Sequence, residues 1–114
     1  MPTPTPDADA RRAAIFAALG DETRLGVLER LVSGEAQSIA RLTEGTGLTR
    51  QGLTKHLDVL AGAGLIRRVR AGRETLVALE PAPLAAAQGW LARISAEWDG
   101  ALGRLKSFLE DKPN

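Results

Sequence analysis

Apolar residues in the first third of the chain recur at helical spacing. Residues 8–19 and 22–33 each carry apolar side chains three and four positions apart, and a glycine follows each run. This period is typical of amphipathic helices, and Asp21 is a favourable N-cap for the second run. The sequence therefore predicts two helices here. The repeat expected to face the core in the second helix is Leu25, Leu28 and Val32.

Two shorter helices are predicted on either side of residues 45–47 (GTG). Ser38 can cap the first of them and Thr49 the second, which runs over residues 50–61. The apolar stripe of that fourth helix is Leu53, Leu57 and Leu60. Two short helices joined by a tight turn are the arrangement that inserts a helix into the major groove of DNA, so the segment predicts a helix-turn-helix.

Beyond residue 64 the spacing changes to that of strands. Residues 65–70 and 74–79 predict a β-hairpin with Gly72 in its turn, and residues 82–110 predict a long last helix. Four helices, a hairpin and a fifth helix predict a mainly α (α+β) fold, a winged helix-turn-helix, with one domain over residues 8–111. The alternating Pro and Thr of residues 1–7 predict a disordered N-terminal arm.

Charge is distributed unevenly, although the chain of 114 residues has a formal net charge of only +1. Between Arg50 and Arg73 there are six basic residues and one acidic residue, so this segment carries +5 and the remainder −4. A basic surface on an otherwise acidic protein is typical of proteins that bind a polyanion. The sequence therefore predicts double-stranded DNA as a partner.

Several functional classes are disfavoured by composition. The chain has no cysteine and one histidine, which excludes disulfides and thiolate sites and leaves no evident metal-ligand set, so we expect no metal and no cofactor. No phosphate-binding loop or nucleophile motif is present, so we expect no enzyme activity. No signal-like or membrane-spanning segment is evident, and we expect a cytoplasmic protein without a membrane partner.

The first turn of the fourth helix carries the candidates for base recognition, Arg50 and Gln51. These side chains can pair bidentately with guanine and adenine, respectively. The candidates for phosphate contact on the same helix are Thr49, Thr54, Lys55 and His56. For His56, packing at the edge of the helix is an equally open interpretation.

The hairpin carries three further candidates. Arg68 and Arg70 lie on one face of a strand, and Arg73 follows the tip. Arginines in these positions can lie along a phosphate ridge or enter the minor groove. Alternatively, they only protect an exposed edge strand from pairing with other chains.

Four segments in order resemble the successive motifs of the ArsR/SmtB family of bacterial repressors, and the similarity covers roughly residues 12–110. They are residues 18–25 (ALGDETRL), 38–42 (SIARL), 48–60 (LTRQGLTKHLDVL) and 63–66 (AGLI) with 71–73 (AGR). The resemblance implies a homodimer formed by the first and last helices, which presents two recognition helices to a near-palindromic operator. The chain departs from metal- and arsenic-sensing members, since it has neither their cysteine motif nor the ligands of their last helix.

The last helix carries an apolar stripe that a small domain cannot readily cover by itself. Together with two residues of the first helix it is the predicted dimer interface, and the residues are Ile15, Phe16, Trp90, Ile94, Trp98, Leu102, Leu105 and Leu109. The two tryptophans could instead line a pocket for a small-molecule inducer. Function is thus predicted to be sequence-specific transcriptional regulation, as an autoregulatory repressor. The alternative is a winged-helix module that binds an acidic protein.

Overall fold

Residues 6–111 are described by the computed structural model of the protein, and they form five helices and one three-stranded antiparallel sheet. The helices are α1 (Pro6–Leu19), α2 (Glu22–Leu31), α3 (Ile39–Thr46), α4 (Arg50–Gly62) and α5 (Pro81–Glu110). The strands are β1 (Gln37–Ser38), β2 (Ile66–Ala71) and β3 (Glu74–Leu79). The predicted winged helix-turn-helix order is confirmed, with β1 as an addition.

Helix α1 begins earlier than predicted, at Pro6 instead of residue 8. Proline is tolerated in the first turn of a helix, and the carboxylates of Asp7 and Asp9 interact favourably with the helix dipole there. Of the predicted arm, residues 1–5 lie outside the described residues, whereas residues 6 and 7 are helical.

The core lies where the helices meet the sheet, and α4 contributes its leucine stripe. Leu53, Leu57 and Leu60 are each 0% exposed, which confirms the inward face predicted for this helix. The prediction that Leu25, Leu28 and Val32 face the core is wrong in part, because Leu25 is 46% exposed and Val32 is 67% exposed. Helix α2 ends at Leu31, so Val32 lies beyond it. The residues that α2 buries are Val27, Leu28 and Leu31.

The sheet has the order β1-β3-β2, with β3 in the centre. In the hairpin Arg68 pairs with Val77, and on the other side of β3 Ser38 pairs with Leu76. The sequence did not predict β1, since two residues are too few to show an alternating pattern. Ser38 pairs in the sheet and also caps α3, where its Oγ accepts a hydrogen bond from the Arg41 amide at 3.1 Å.

Helix α5 is long, and only its beginning belongs to the core. It has 30 residues, or roughly 45 Å of helix, and Ala87 is its one buried residue. From position 91 onward nearly every residue is exposed. Within residues 6–111 no helix, α5 included, is both long and apolar enough to cross a membrane.

Candidate nucleic-acid interface

A tight turn and two side-chain caps set the start of α4. Gly47 adopts a left-handed conformation, with φ at 70°, and ends α3. Thr49 Oγ1 then accepts a hydrogen bond from the Gly52 amide at 3.0 Å and caps α4. A side chain at Gly52 would place its Cβ 3.1 Å from that oxygen, so the cap itself favours glycine at this position. The first turn of α4 is therefore fixed by local contacts.

Gln51 and Lys55 lie on the face of α4 opposite its buried leucines, whereas Arg50 lies in the first turn, nearer the edge of the leucine stripe. All three side chains are exposed. Thr54 is half-buried, and its hydroxyl donates to the Arg50 carbonyl oxygen at 2.8 Å. These predicted contact residues are thus brought together at the N-terminal half of one helix. Such an arrangement can present hydrogen-bond donors and acceptors to the edges of base pairs.

His56 faces the body of the protein. Its Nδ1 lies 3.4 Å from Arg24 Nη1 and 3.8 Å from Asp21 Oδ2, and its side chain is 24% exposed. Arg24 in turn donates from Nε to the Ala18 carbonyl oxygen at 2.8 Å, at the end of α1. This geometry favours the packed interpretation of His56, and a phosphate contact of the partly exposed ring stays a prediction.

Asp21 caps α2 as the sequence predicts, and its proximity to the His56 ring, which the sequence did not reveal, brings Asp21 and Arg24 to the candidate site. The Arg24 amide donates to Asp21 Oδ2 at 2.9 Å, and this bond is the main cause that lowers the pKa of Asp21. The charges of Arg24 and His56 lower it further, against the opposing effect of desolvation. Because His56 belongs to α4, this cluster links α4 to the junction of α1 and α2.

The wing, defined here as β2, β3 and their connecting turn, places its three candidate arginines differently. Arg68 donates from Nη1 to Asp58 Oδ1 at 2.6 Å, so it ties the wing to α4. Arg70 donates from Nε to the Gly72 carbonyl oxygen at 3.2 Å and is exposed. Arg73 is exposed at the tip and lines a small cavity of about 90 Å³ together with Arg50. The wing tip and the start of α4 thus lie next to each other, with Arg50 and Arg73 on either element.

Asp58 was not singled out as a partner of Arg68 from sequence, because the two residues are ten positions apart on different elements. Both side chains are partly exposed, at 34% for Arg68 and 59% for Asp58. An ion pair of this exposure contributes little to stability, so its main effect is to orient the wing.

The distal face, defined here as the exposed apolar residues of α5 from position 91 onward, lies away from the core. The predicted interface residues on it are Ile94 (39% exposed), Trp98 (64%), Leu102 (46%), Leu105 (54%) and Leu109 (61%). Leu91 and Phe108 belong to the same face, at 48% and 71%, and the sequence analysis had not included them. A continuous apolar face of this extent is typical of a surface that another protein covers.

The remaining predicted interface residues lie where α5 begins to separate from the core. The rings of Phe16 and Trp90 pack with their centroids 5.3 Å apart, and the Arg12 guanidinium lies 5.5 Å above the Trp90 ring. Ile15 is only 8% exposed and belongs to the core of the protomer, so it offers little surface to a partner. Trp98 lies roughly 12 Å further along the helix than Trp90, so the two rings are not neighbours within one protomer.

No metal site is evident in the described part of the chain. Among residues 6–111 no three histidine, cysteine, aspartate or glutamate side chains come together as metal ligands would. The contacts of His56 are with one aspartate and one arginine, and the guanidinium beside the ring disfavours a cation at that position.

Comparison with known proteins agrees with this geometry. A family model described as a helix-turn-helix domain matches residues 19–69. An ArsR-like transcriptional regulator from Rhodococcus sp. RHA1 is 37% identical, with a TM-score of 0.79 over 93% of this chain and 99% of that chain. YuzN, an uncharacterized HTH-type transcriptional regulator of Bacillus subtilis, is 33% identical over 73% of this chain and 98% of that protein.

A more distant structure has the same fold. It is a homodimeric winged helix-turn-helix DNA-binding domain from Mycobacterium bovis, a possible ArsR-family regulator. It is 18% identical, with a TM-score of 0.65 over 85% of this chain and 90% of that chain. The relatives at higher identity are transcriptional regulators, not enzymes.

Proposed function

Since the chain belongs to the ArsR family of winged helix-turn-helix transcriptional regulators, we propose that it is a repressor that binds a near-palindromic operator as a homodimer and controls its own operon. The observation that carries the DNA-binding part is the exposure of Arg50 and Gln51 in the capped first turn of α4. The leucines of α4 are fully buried, so their packing fixes the rotation of the helix about its own axis and keeps these two side chains on the surface.

Base recognition and phosphate contact are divided between two groups of residues in this proposal. Arg50 and Gln51 contact base edges in the major groove. The residues that contact phosphates are Thr49, Thr54, Lys55, Arg70 and Arg73. Arg68 holds the wing against α4 through Asp58, and His56 positions α4 through Asp21 and Arg24. Phosphate contacts fix the register of the protein on DNA without distinguishing sequences.

The distal face supports the proposed homodimer. Its seven large apolar side chains are between 39% and 71% exposed, and a second copy of α5 offers them an equally apolar surface. A two-fold axis through this contact presents two copies of α4 to the same side of a duplex. Half-sites separated by about 10 bp or a multiple of it are expected from such symmetry.

Footprinting on the DNA upstream of the protein's own operon tests the proposal. We expect protection of two inverted half-sites, with affinity that falls steeply as salt rises because phosphate contacts release counterions. Repression is then measured with a reporter gene under the same promoter. Absence of binding to any duplex at low salt would contradict the proposal and favour the module that binds an acidic protein.

A further inference from the structure

All three nitrogens of the Arg24 guanidinium have acceptors, and these acceptors lie on two other helices. Nε donates to the Ala18 carbonyl oxygen at 2.8 Å and Nη2 to the Ala17 carbonyl oxygen at 3.1 Å, both in the last turn of α1. Nη1 lies within hydrogen-bonding distance of His56 Nδ1 on α4, at 3.4 Å. The clamp, defined here as Arg24 with these three acceptors, therefore joins α1, α2 and α4 at one point.

The two carbonyl contacts of the clamp also satisfy the end of α1. The last four carbonyl groups of an α-helix have no partner within the helix, and a positive charge beside them interacts favourably with the helix dipole. The last turn of α1, over residues 16–19, contains no basic residue. Arg24 supplies this charge from α2, so its contacts with α1 fix the direction in which its remaining N–H groups point.

The clamp also determines which nitrogen of the His56 ring carries the proton. Arginine can only donate, so Nδ1 accepts and the proton of the neutral ring is on Nε2. Asp21 Oδ2 is farther from Nδ1, at 3.8 Å, which is beyond hydrogen-bonding distance. Among residues 6–111 no buried side-chain nitrogen is left without a partner, so Nε2, which makes no hydrogen bond there, is open to solvent.

The clamp lies between the helix that carries the distal face and the helix that carries Gln51. At the end of α1 the Phe16 ring packs on Trp90 of α5, with the ring centroids 5.3 Å apart. The buried leucines of α4 fix which face of that helix turns inward, but apolar packing has no directional preference and resists tilting weakly. Hydrogen bonds are directional, so the clamp fixes the tilt of α4 against α1.

We propose that Arg24 is a positioning residue for operator recognition, which acts through His56 Nδ1 and sets the separation of the two recognition helices in the dimer. This role rests on the proposed function, in which one dimer binds two half-sites. Arg24 itself contacts no DNA. It is half-buried, and its guanidinium is occupied by the acceptors of the clamp.

The test compares the operator with a lengthened duplex, which has one base pair inserted between the half-sites. The insertion moves one half-site by about 3.4 Å and rotates it by roughly 34°. We define the spacing ratio as the affinity for the operator divided by the affinity for the lengthened duplex. For the unsubstituted protein we expect a spacing ratio of at least about 10, comparable to the cost of one mismatched base pair.

Arg24→Lys should lower the spacing ratio at least about threefold, because α4 then tilts more freely and adapts to the displaced half-site. Lysine keeps the charge, but one ammonium group cannot reach three acceptors on two helices as the planar guanidinium does. Circular dichroism establishes that the variant is folded. An unchanged spacing ratio for Arg24→Lys would overturn the proposal.

Arg30→Lys is the matched control, with the same substitution on the same helix. The Arg30 guanidinium donates to the Gly45 carbonyl oxygen on α3 and makes no contact with α4 within residues 6–111. A lysine ammonium can donate to a single acceptor of this kind. We expect the spacing ratio of Arg30→Lys to equal that of the unsubstituted protein. A loss equal to that of Arg24→Lys would contradict a specific role of the clamp.

Two replacements of His56 separate the roles of its ring nitrogens. Asparagine places its side-chain oxygen as far from Cβ as Nδ1 is, and can still accept from Arg24. Glutamine places its polar end as far from Cβ as Nε2 is, and leaves the clamp without its acceptor on α4. We expect His56→Asn to have a higher spacing ratio than His56→Gln. Equal ratios, or the reverse order, would contradict the role of Nδ1.

One measurement needs no DNA. His56 is the only histidine of the chain, so long-range proton–nitrogen correlation spectra report its tautomer without overlap, at a pH where the ring is neutral. We expect the proton on Nε2 and a shift of the Nδ1 resonance in Arg24→Lys; a proton on Nδ1 would overturn the proposal. A protein with the expected spectra that binds no duplex would refute the proposed function. A protein that binds its operator, with equal spacing ratios for Arg24→Lys and the unsubstituted chain, would refute the positioning role alone.

Discussion

Replacement of Trp98 by alanine should convert the dimer to monomers. Trp98 is 64% exposed in the protomer, and a tryptophan that becomes fully buried covers about 150–250 Å², so about 100–160 Å² of this side chain is available to a partner. At about 25 cal/mol per Å² this area corresponds to about 2.5–4 kcal/mol in each protomer. The net loss of association free energy is smaller than this, because association has its own entropic cost and because the alanine side chain still buries some apolar area. A loss of about 3 kcal/mol over both protomers raises the dimer dissociation constant about 100-fold.

Sedimentation velocity over a range of protein concentrations measures this change. The protomer should remain folded, because Trp98 contributes nothing to the buried core. Asp99→Ala is the matched control, since Asp99 is the exposed neighbour on the next face of α5 and should leave the dimer intact. An unchanged sedimentation profile for Trp98→Ala at every concentration would refute the assignment of the distal face as the subunit interface.

Three further predictions concern the DNA surface, the core and the N-cap of α2. Arg50→Ala and Gln51→Ala should each reduce the free energy of operator binding by about 1–3 kcal/mol and relax base preference. Arg70→Ala and Arg73→Ala should weaken binding to all DNA sequences alike and flatten the salt dependence of binding. Gel shifts on operator and random duplex separate the two groups of variants, and equal effects from all four would contradict the division between them. Leu57→Ala should lower the free energy of unfolding by about 2–5 kcal/mol in urea, because this 0% exposed side chain leaves a cavity; a change within error would contradict its place in the core. Asp21→Ala should lower the melting temperature at neutral pH, because the lowered pKa of Asp21 means that its charged form stabilises the fold. The difference in melting temperature between the variant and the original protein should vanish as the pH falls below 3.8, the ordinary value from which the pKa of Asp21 is lowered. A difference that persists in acid would show that the charge of Asp21 is not the cause.

The sequence was most informative where the governing contacts are local. Thr49 and Ser38 cap their helices as predicted, since the hydrogen bonds span only three residues. The leucine stripe of α4 follows directly from the helical period, and all three of its residues are buried. The exposed first turn of α4 was therefore predictable in detail.

Contacts between distant segments were not predictable. The position of His56 depends on Arg24, 32 residues away, and that of Arg68 on Asp58, ten residues away on another element. Strand β1 depends on pairing with β3 and has no pattern of its own.

Directed cleavage of DNA from the first turn of α4 tests the central claim most directly. The chain has no cysteine, so Gln51→Cys provides a unique attachment point for an iron chelate that cleaves nearby DNA. The account predicts cleavage at two sites related by the operator's symmetry, about 10 bp or a multiple of it apart, and no localised cleavage from a chelate attached through Asp99→Cys on α5. Localised cleavage from the α5 position, with none from the α4 position on protein that still binds the operator, would contradict it.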